Sequence, residues 1–275
     1  MLTSVSVTNV RGNVLQLPLL DSSAGYVVED IEGLGPVNAT LTSSSIAQLD
    51  GATFQNAQRG TRNITSTIGF APDFVNNTVQ SLRSNLYDYF LPKANVDLAF
   101  YMDGDLYALT SGQVESFDGT LFSNDPSMDL SIICYDPDFY APDSTVISGD
   151  TVSTTDTQII TYPGTTDAGF IFTLNVNRSV DGFSLYNTRP DGIIQVLNMI
   201  SSLDLVNGDV VTITSIPGSK SIVYNHAGTP VSGLAFMDPT SDWPLLTKGD
   251  NVFRAYASGD PIPFTIEYTT KYGAL

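Results

Sequence analysis

The sequence predicts an all-β protein with one helix, arranged in two domains. Three observations carry that prediction. Thr, Val, Ile, Tyr and Phe recur in runs of about 4–8 residues punctuated by Gly, Pro, Asn and Asp, which is the spacing of strands in sandwiches and barrels. A single segment keeps a clear helical period instead. The chain has 275 residues, enough for two domains that each bury a core.

Taken in order, residues 4–10 and 64–70 are the first clear strands. Val75, Val79, Leu82, Leu86 and Phe90 then fall at i, i+4, i+7, i+11 and i+15, which lines one face of a helix. Residues 76–78 supply capping side chains and Pro92 closes the stripe, so the helix is expected over about 77–91. Strands follow at 96–102 and 129–134. In the second of these Leu130, Ile132 and Cys134 alternate with Ser131 and Ile133, a pattern for burial mainly on one face. Residues 140–156 shift toward Pro, Ser and Thr, which places a domain boundary there and gives domains of 1–145 and 146–275. Further strands are expected at 169–176, 209–213 and 263–269. Residues 193–205 are apolar, but their doublets, Ile193–Ile194 and Val196–Leu197, fit neither period well, so helix and strand both stay open.

Composition removes several functional classes. Charged residues make up only 15%, with Lys+Arg 11 against Asp+Glu 29 and a net charge of −18. Such a chain is poorly suited to gripping phosphate backbones or an anionic membrane. One Cys and one His exclude a disulfide within the chain and a zinc site built from Cys and His. Residues 1–20 lack a basic start followed by an apolar core, so no signal peptide is expected, and no apolar run is long enough to span a bilayer.

Asp103–Gly104–Asp105 and Asp136–Pro137–Asp138 pair carboxylates as glycosidases and calcium sites do, yet turn chemistry accounts for both. His226 reads as a hairpin-turn residue and Cys134 as a small core hydrophobe. Trp243 reads first as a loop anchor, with sugar stacking as the alternative. In a chain with so few cations, Arg59 and Arg62 are candidates to pair with carboxylates within or between subunits. No catalytic, metal-binding or cofactor-binding residue is assigned.

Several segments, in order, resemble the distal tail protein family of long-tailed bacteriophages. They are Tyr26 with Ile31-Glu-Gly-Leu-Gly-Pro-Val37, Asp50-Gly-Ala52, Gln58-Arg-Gly-Thr-Arg-Asn-Ile64, the helix with the strand after it, and Asp129 to Tyr140. In the second half, Gly208-Asp-Val-Val-Thr-Ile213 and Ser241-Asp-Trp-Pro-Leu-Leu-Thr-Lys-Gly-Asp-Asn251 continue the series. The resemblance implies an N-terminal β-barrel or sheet domain that builds a homo-hexameric ring, followed by a galectin-like β-sandwich. It implies a structural protein of the virion, made in the host cytoplasm and placed at the distal end of the tail. Its partners would be the tail tube protein above and the tail-tip hub and receptor-binding or fibre proteins below. DNA would pass through the ring without specific binding. The net charge by itself is open to two readings, an acidic wall that repels phosphates or acidity that keeps the protein soluble. No enzymatic activity, cofactor or membrane contact is implied. A carbohydrate-binding module or lectin is the alternative, and there Trp243 would be the stacking residue.

Overall fold

The computed structural model describes every residue except 20, 46–49, 121–122 and 227, and the side chains of 201–202. The protein is nearly all β with one α-helix. It divides into two compact units, Met1–Pro142 together with Tyr272–Leu275, and Asp143–Lys271.

The N-terminal unit contains β1 (Leu2–Asn9), β2 (Val14–Pro18), β3 (Tyr26–Glu32), β4 (Ala39–Ser44), β5 (Thr53–Arg59), β6 (Arg62–Phe70), α1 (Val79–Phe90), β7 (Asn95–Met102), β8 (Asp105–Gly119), β9 (Ser127–Cys134) and the start of β10 (Phe139–Asp150). Hydrogen-bonded neighbours run β2-β1-β7-β8-β9-β6-β3, all antiparallel. The sheet wraps around a shared core that includes Val7, Phe100, Ile64, Ile132 and Phe139, but its end strands β2 and β3 are not paired. It is therefore an open sheet and not a closed barrel.

The helix is held on by apolar burial more than by its cap. Thr78 and Ser81 form a reciprocal capping box, worth about 1 kcal/mol. Leu82, Leu86 and Phe90 are buried, at roughly 1.5–3 kcal/mol each. Gly25 lies under Leu82 with φ +82°, and a Cβ there would sit 2.9 Å from the Leu82 side chain. Helix α1 starts later than the apolar stripe predicts, because the Asp73 carboxylate accepts from the backbone N–H groups of Val75, Asn76 and Asn77 and closes a tight turn first. Val75 is consequently 87% exposed and is not part of the buried face.

The C-terminal unit holds the rest of β10, then β11 (Gln158–Tyr162), β12 (Ile171–Asn175), β13 (Val180–Thr188), β14 (Ile194–Leu205), β15 (Val210–Thr214), β16 (Ser221–His226), β17 (Thr229–Ser232), β18 (Gly249–Tyr256) and β19 (Pro263–Tyr272). One sheet runs β17-β16-β15-β12-β19-β10 and the other β11-β18-β13-β14. Alternate residues of both sheets meet in one core. Phe172 is at its centre, with ring centroids 5.2 Å from Phe264 and 6.3 Å from Phe253. The ambiguous segment 193–205 is a strand. The irregularity in its pairing with β13 lies in β14, whose extra residues fall between Met199 and Asp204, opposite Gly182 (φ +77°), where a Cβ would meet the Met199 carbonyl at 2.5 Å.

Candidate assembly site

Strands β4 and β5 pair only with each other. Every residue of the two strands is exposed except the half-buried Ser44, including Leu41 at 69% and Phe54 at 63%. An arm of this length projects about 20 Å at 3.3 Å per residue. A lone two-stranded ribbon is marginal in water, and its outer edges offer unpaired N–H and C=O groups to another chain. The sequence concealed the arm because apolar residues are sparse on it. No period-2 apolar pattern marks Ala39–Ser44 or Thr53–Arg59, and only Asp50-Gly51 signalled a turn between them.

The base of the arm is rigid. Arg59 closes β5 and donates to both carboxylate oxygens of the buried Asp138, at 2.5 and 3.0 Å. Hydrogen bonding to Asp138 holds the Arg59 guanidinium above its ordinary value. Arg62, three residues on, is 1% exposed. It donates to the carbonyls of Pro137 (2.8 Å), Gly33 (2.5 Å), Gly35 (2.6 Å) and Gly273 (2.7 Å), and its guanidinium lies 4.2 Å from the Phe139 ring centroid. Desolvation pushes its pKa down. The expectation that Arg62 pairs with a carboxylate, within or between subunits, is corrected here. Its donors are taken up by carbonyls inside its own unit, so it cannot reach a neighbour. Arg59 remains partly exposed. Gly33 belongs to the same joint, at φ +84°, with the Asn63 carbonyl 1.9 Å from where a Cβ would be.

A second surface is electrostatic. On the side of β3, β6, β9 and β8 away from the core, a shallow concavity of about 410 Å³ is lined by Asp30, Glu32, Asp118 and Asp129 among Ser and Thr residues. No cation lines it. Thr67 donates to Asp129 at 2.8 Å, and nearby Ser131 donates to Glu115 at 2.8 Å, which fixes two carboxylates in place.

The other residues singled out from the sequence have structural surroundings. Asp103, at φ +51°, with Gly104, at φ +95°, makes the β7–β8 turn. Asp136 caps the turn by accepting from the Asp138 N–H and from the Tyr140 hydroxyl. Cys134 is buried, and desolvation raises its thiol pKa. His226 ends β16, with Nδ1 2.9 Å from Asp209 and 2.9 Å from the Tyr224 hydroxyl. Trp243 packs partly into the C-terminal core, with the Lys220 ammonium 5.7 Å from its ring centroid. The loop that carries it is tied down by Asp242 N–H to the Val196 carbonyl (2.7 Å) and by Leu246 pairing with Ala168. Among the described residues no cluster of His, Cys, Asp and Glu could hold a metal ion, and no helix is long and apolar enough to cross a membrane.

Residues 163–272 match the model of the siphovirus-type tail component, C-terminal domain. No curated protein matches the sequence. Among solved structures, the Dit protein of phage SPP1 is similar over 97% of this chain and 98% of that one, at 14% identity and a TM-score of 0.67. A chain of the phage P2 baseplate in its activated conformation with Ca covers 100% of both, at 9% identity and a TM-score of 0.48.

Proposed function

We propose that this chain, whose residues 163–272 match the siphovirus-type tail component model, is a distal tail protein whose copies close into a hexameric ring. The ring joins the tail tube to the tail-tip and receptor-binding proteins and leaves a channel for DNA. The similar SPP1 protein is described as a hub of the adsorption apparatus in phages that infect Gram-positive bacteria.

The observation that carries the reading is the unpaired arm. A ring is a head-to-tail assembly in which each copy offers one surface and receives another. A ribbon without a sheet neighbour, stiffened at its base by Arg59–Asp138 and Arg62, is suited to be the offered surface. The carboxylate-lined concavity is suited to the channel, since a fixed negative wall lets a phosphate backbone slide past. The N-terminal unit is then the ring-former and the C-terminal unit the outward, galectin-like domain. The role is mechanical. Nothing at Trp243 favours sugar stacking over packing, and His226 has a buried acid and a phenol beside it but no nucleophile. Electron microscopy of the purified protein tests the proposal. Closed sixfold rings are expected, and a protein that stays monomeric at all concentrations and is retained on a glycan array would replace this reading with the lectin.

A further inference from the structure

Residues 272–275 belong to the N-terminal unit, although β19, which leads into them, lies in the C-terminal unit up to Lys271. They arrive at the base of the arm. The Tyr272 ring stacks on Tyr107 with centroids 5.3 Å apart, and Leu275 packs against the N-terminal core. The backbone of the segment binds the joint itself. The Gly273 carbonyl accepts from Arg62 Nη2 at 2.7 Å, and the Leu275 N–H donates to the Leu34 carbonyl at 3.0 Å. Leu34 sits in the stem 33–38 that joins β3 to β4. On either side of it, the Gly33 and Gly35 carbonyls accept from Arg62 Nη1. Consecutive carbonyls of the stem are thus all held, the middle one by Leu275 and its neighbours by an arginine that Gly273 holds in turn.

The stem needs that hold. The other stem, residues 60–61, is short and lies between the anchored Arg59 and Arg62. Stem 33–38 is longer, contains Gly33 and Gly35, and has little stiffness of its own. An arm that projects about 20 Å carries its tip about 5 Å when its base turns by about 15°, and about 4.8 Å is a whole inter-strand spacing. A swing that small takes the arm off a neighbour's strand edge. We infer that residues 273–275 are positioning residues of the arm. Seated, they fix its direction through Leu34 and Arg62; unseated, they leave the ribbon free to swing and the ring unable to close. The inference rests on the arm being the surface that one copy offers the next.

Limited proteolysis tests it, because trypsin can cut after Arg62 only when the guanidinium leaves its carbonyl partners. Residues 273–275 are deleted from the otherwise full chain, and cutting is followed by mass spectrometry at a dilution where no neighbour protects the arm. Cutting after Arg62 should be about tenfold faster than in the parent, as expected when a charge-assisted hydrogen bond is lost. Cutting after Arg178 and Arg254, in the C-terminal unit, should not change. Leu275→Ser should fall between, and Leu275→Met should behave as the parent. At a concentration where the parent closes into rings, the deletion should not, although its melting temperature by circular dichroism stays within about 5 °C of the parent's. Unchanged cutting after Arg62, or rings that close as in the parent, overturns the inference. So does a deletion that speeds cutting after Arg178 and Arg254 as much as after Arg62, since the segment would then support the whole fold and not the arm. A parent that never forms rings would instead sink the proposed function, and the rate of cutting after Arg62 would still decide whether residues 273–275 hold the arm's base.

Discussion

Two arginines three residues apart illustrate how much burial decides. Arg59 is 42% exposed and its pair with Asp138 is partly screened by water, so Arg59→Ala should cost about 1–2 kcal/mol. Arg62 holds four carbonyls in a dry site. Arg62→Ala leaves those acceptors unsatisfied and a hole against Phe139, and should lower the unfolding free energy by about 3–5 kcal/mol. Urea denaturation measures both, and equal losses would mean that the Arg62 site is wet. Asp73 gives a pH prediction at the same scale. Hydrogen bonds from the Asn77 backbone, the Asn76 side chain and the Asn76 and Val75 backbones hold its carboxyl at about 2, below the ordinary 3.8. A depressed carboxylate pKa stabilises the folded state fully above the ordinary value, and the contribution fades as pH falls from about 4 to 2. Carboxyl NMR should show Asp73 titrating near 2. A midpoint at the ordinary value would mean the turn before α1 is not closed by this residue, and that Phe74, at φ +58°, has lost its restraint.

At the scale of elements, the arm makes the sharpest claim. Leu41→Asp with Phe54→Asp changes only exposed side chains, so thermal melting should stay within about 0.5 kcal/mol of the parent, while ring closure is lost in light scattering. Rings that form normally in this variant would remove the arm from the interface. The same hairpin marks the limit of what a sequence shows. Strands with one apolar face were legible, as in β9, where the burial of Leu130, Ile132 and Cys134 follows their alternation. Helix α1 was legible from its stripe, although Val75 lay outside it because the Asp73 turn is a local hydrogen-bond effect that periodicity does not register. The doublets of β14 obscured its period, since several of its outward residues are apolar too. The Arg-x-x-Arg spacing was visible, but the partners of Arg62 are backbone carbonyls, one of them 211 residues away at Gly273. The acidic concavity was foreshadowed only as net charge, because its carboxylates come from three strands that register alone brings together.

For the whole molecule, charge sets the conditions for assembly. Each copy carries a net charge of −18, and the proposed ring would bring copies within a few ångströms of each other. Pairs of opposite charge at the seam would make the ring weaker as salt rises; like-charge repulsion makes it stronger. With 11 cations, several of them bound within their own units, repulsion is the larger effect here. The Debye length falls from about 30 Å at 0.01 M ionic strength to about 8 Å at 0.15 M, so added salt removes most of the long-range repulsion and leaves the hydrogen-bonded and apolar contacts of the arm. Rings should therefore dissociate at about 0.01 M and close again at about 0.15 M, as read by sedimentation at fixed protein concentration. Replacing Asp30, Glu32, Asp118 and Asp129 with Asn, which lowers the charge without touching the arm, should shift closure to lower salt. Rings that instead fall apart as salt is raised would show that ion pairs, not strand edges, hold the copies together, and the arm would lose its place as the offered surface.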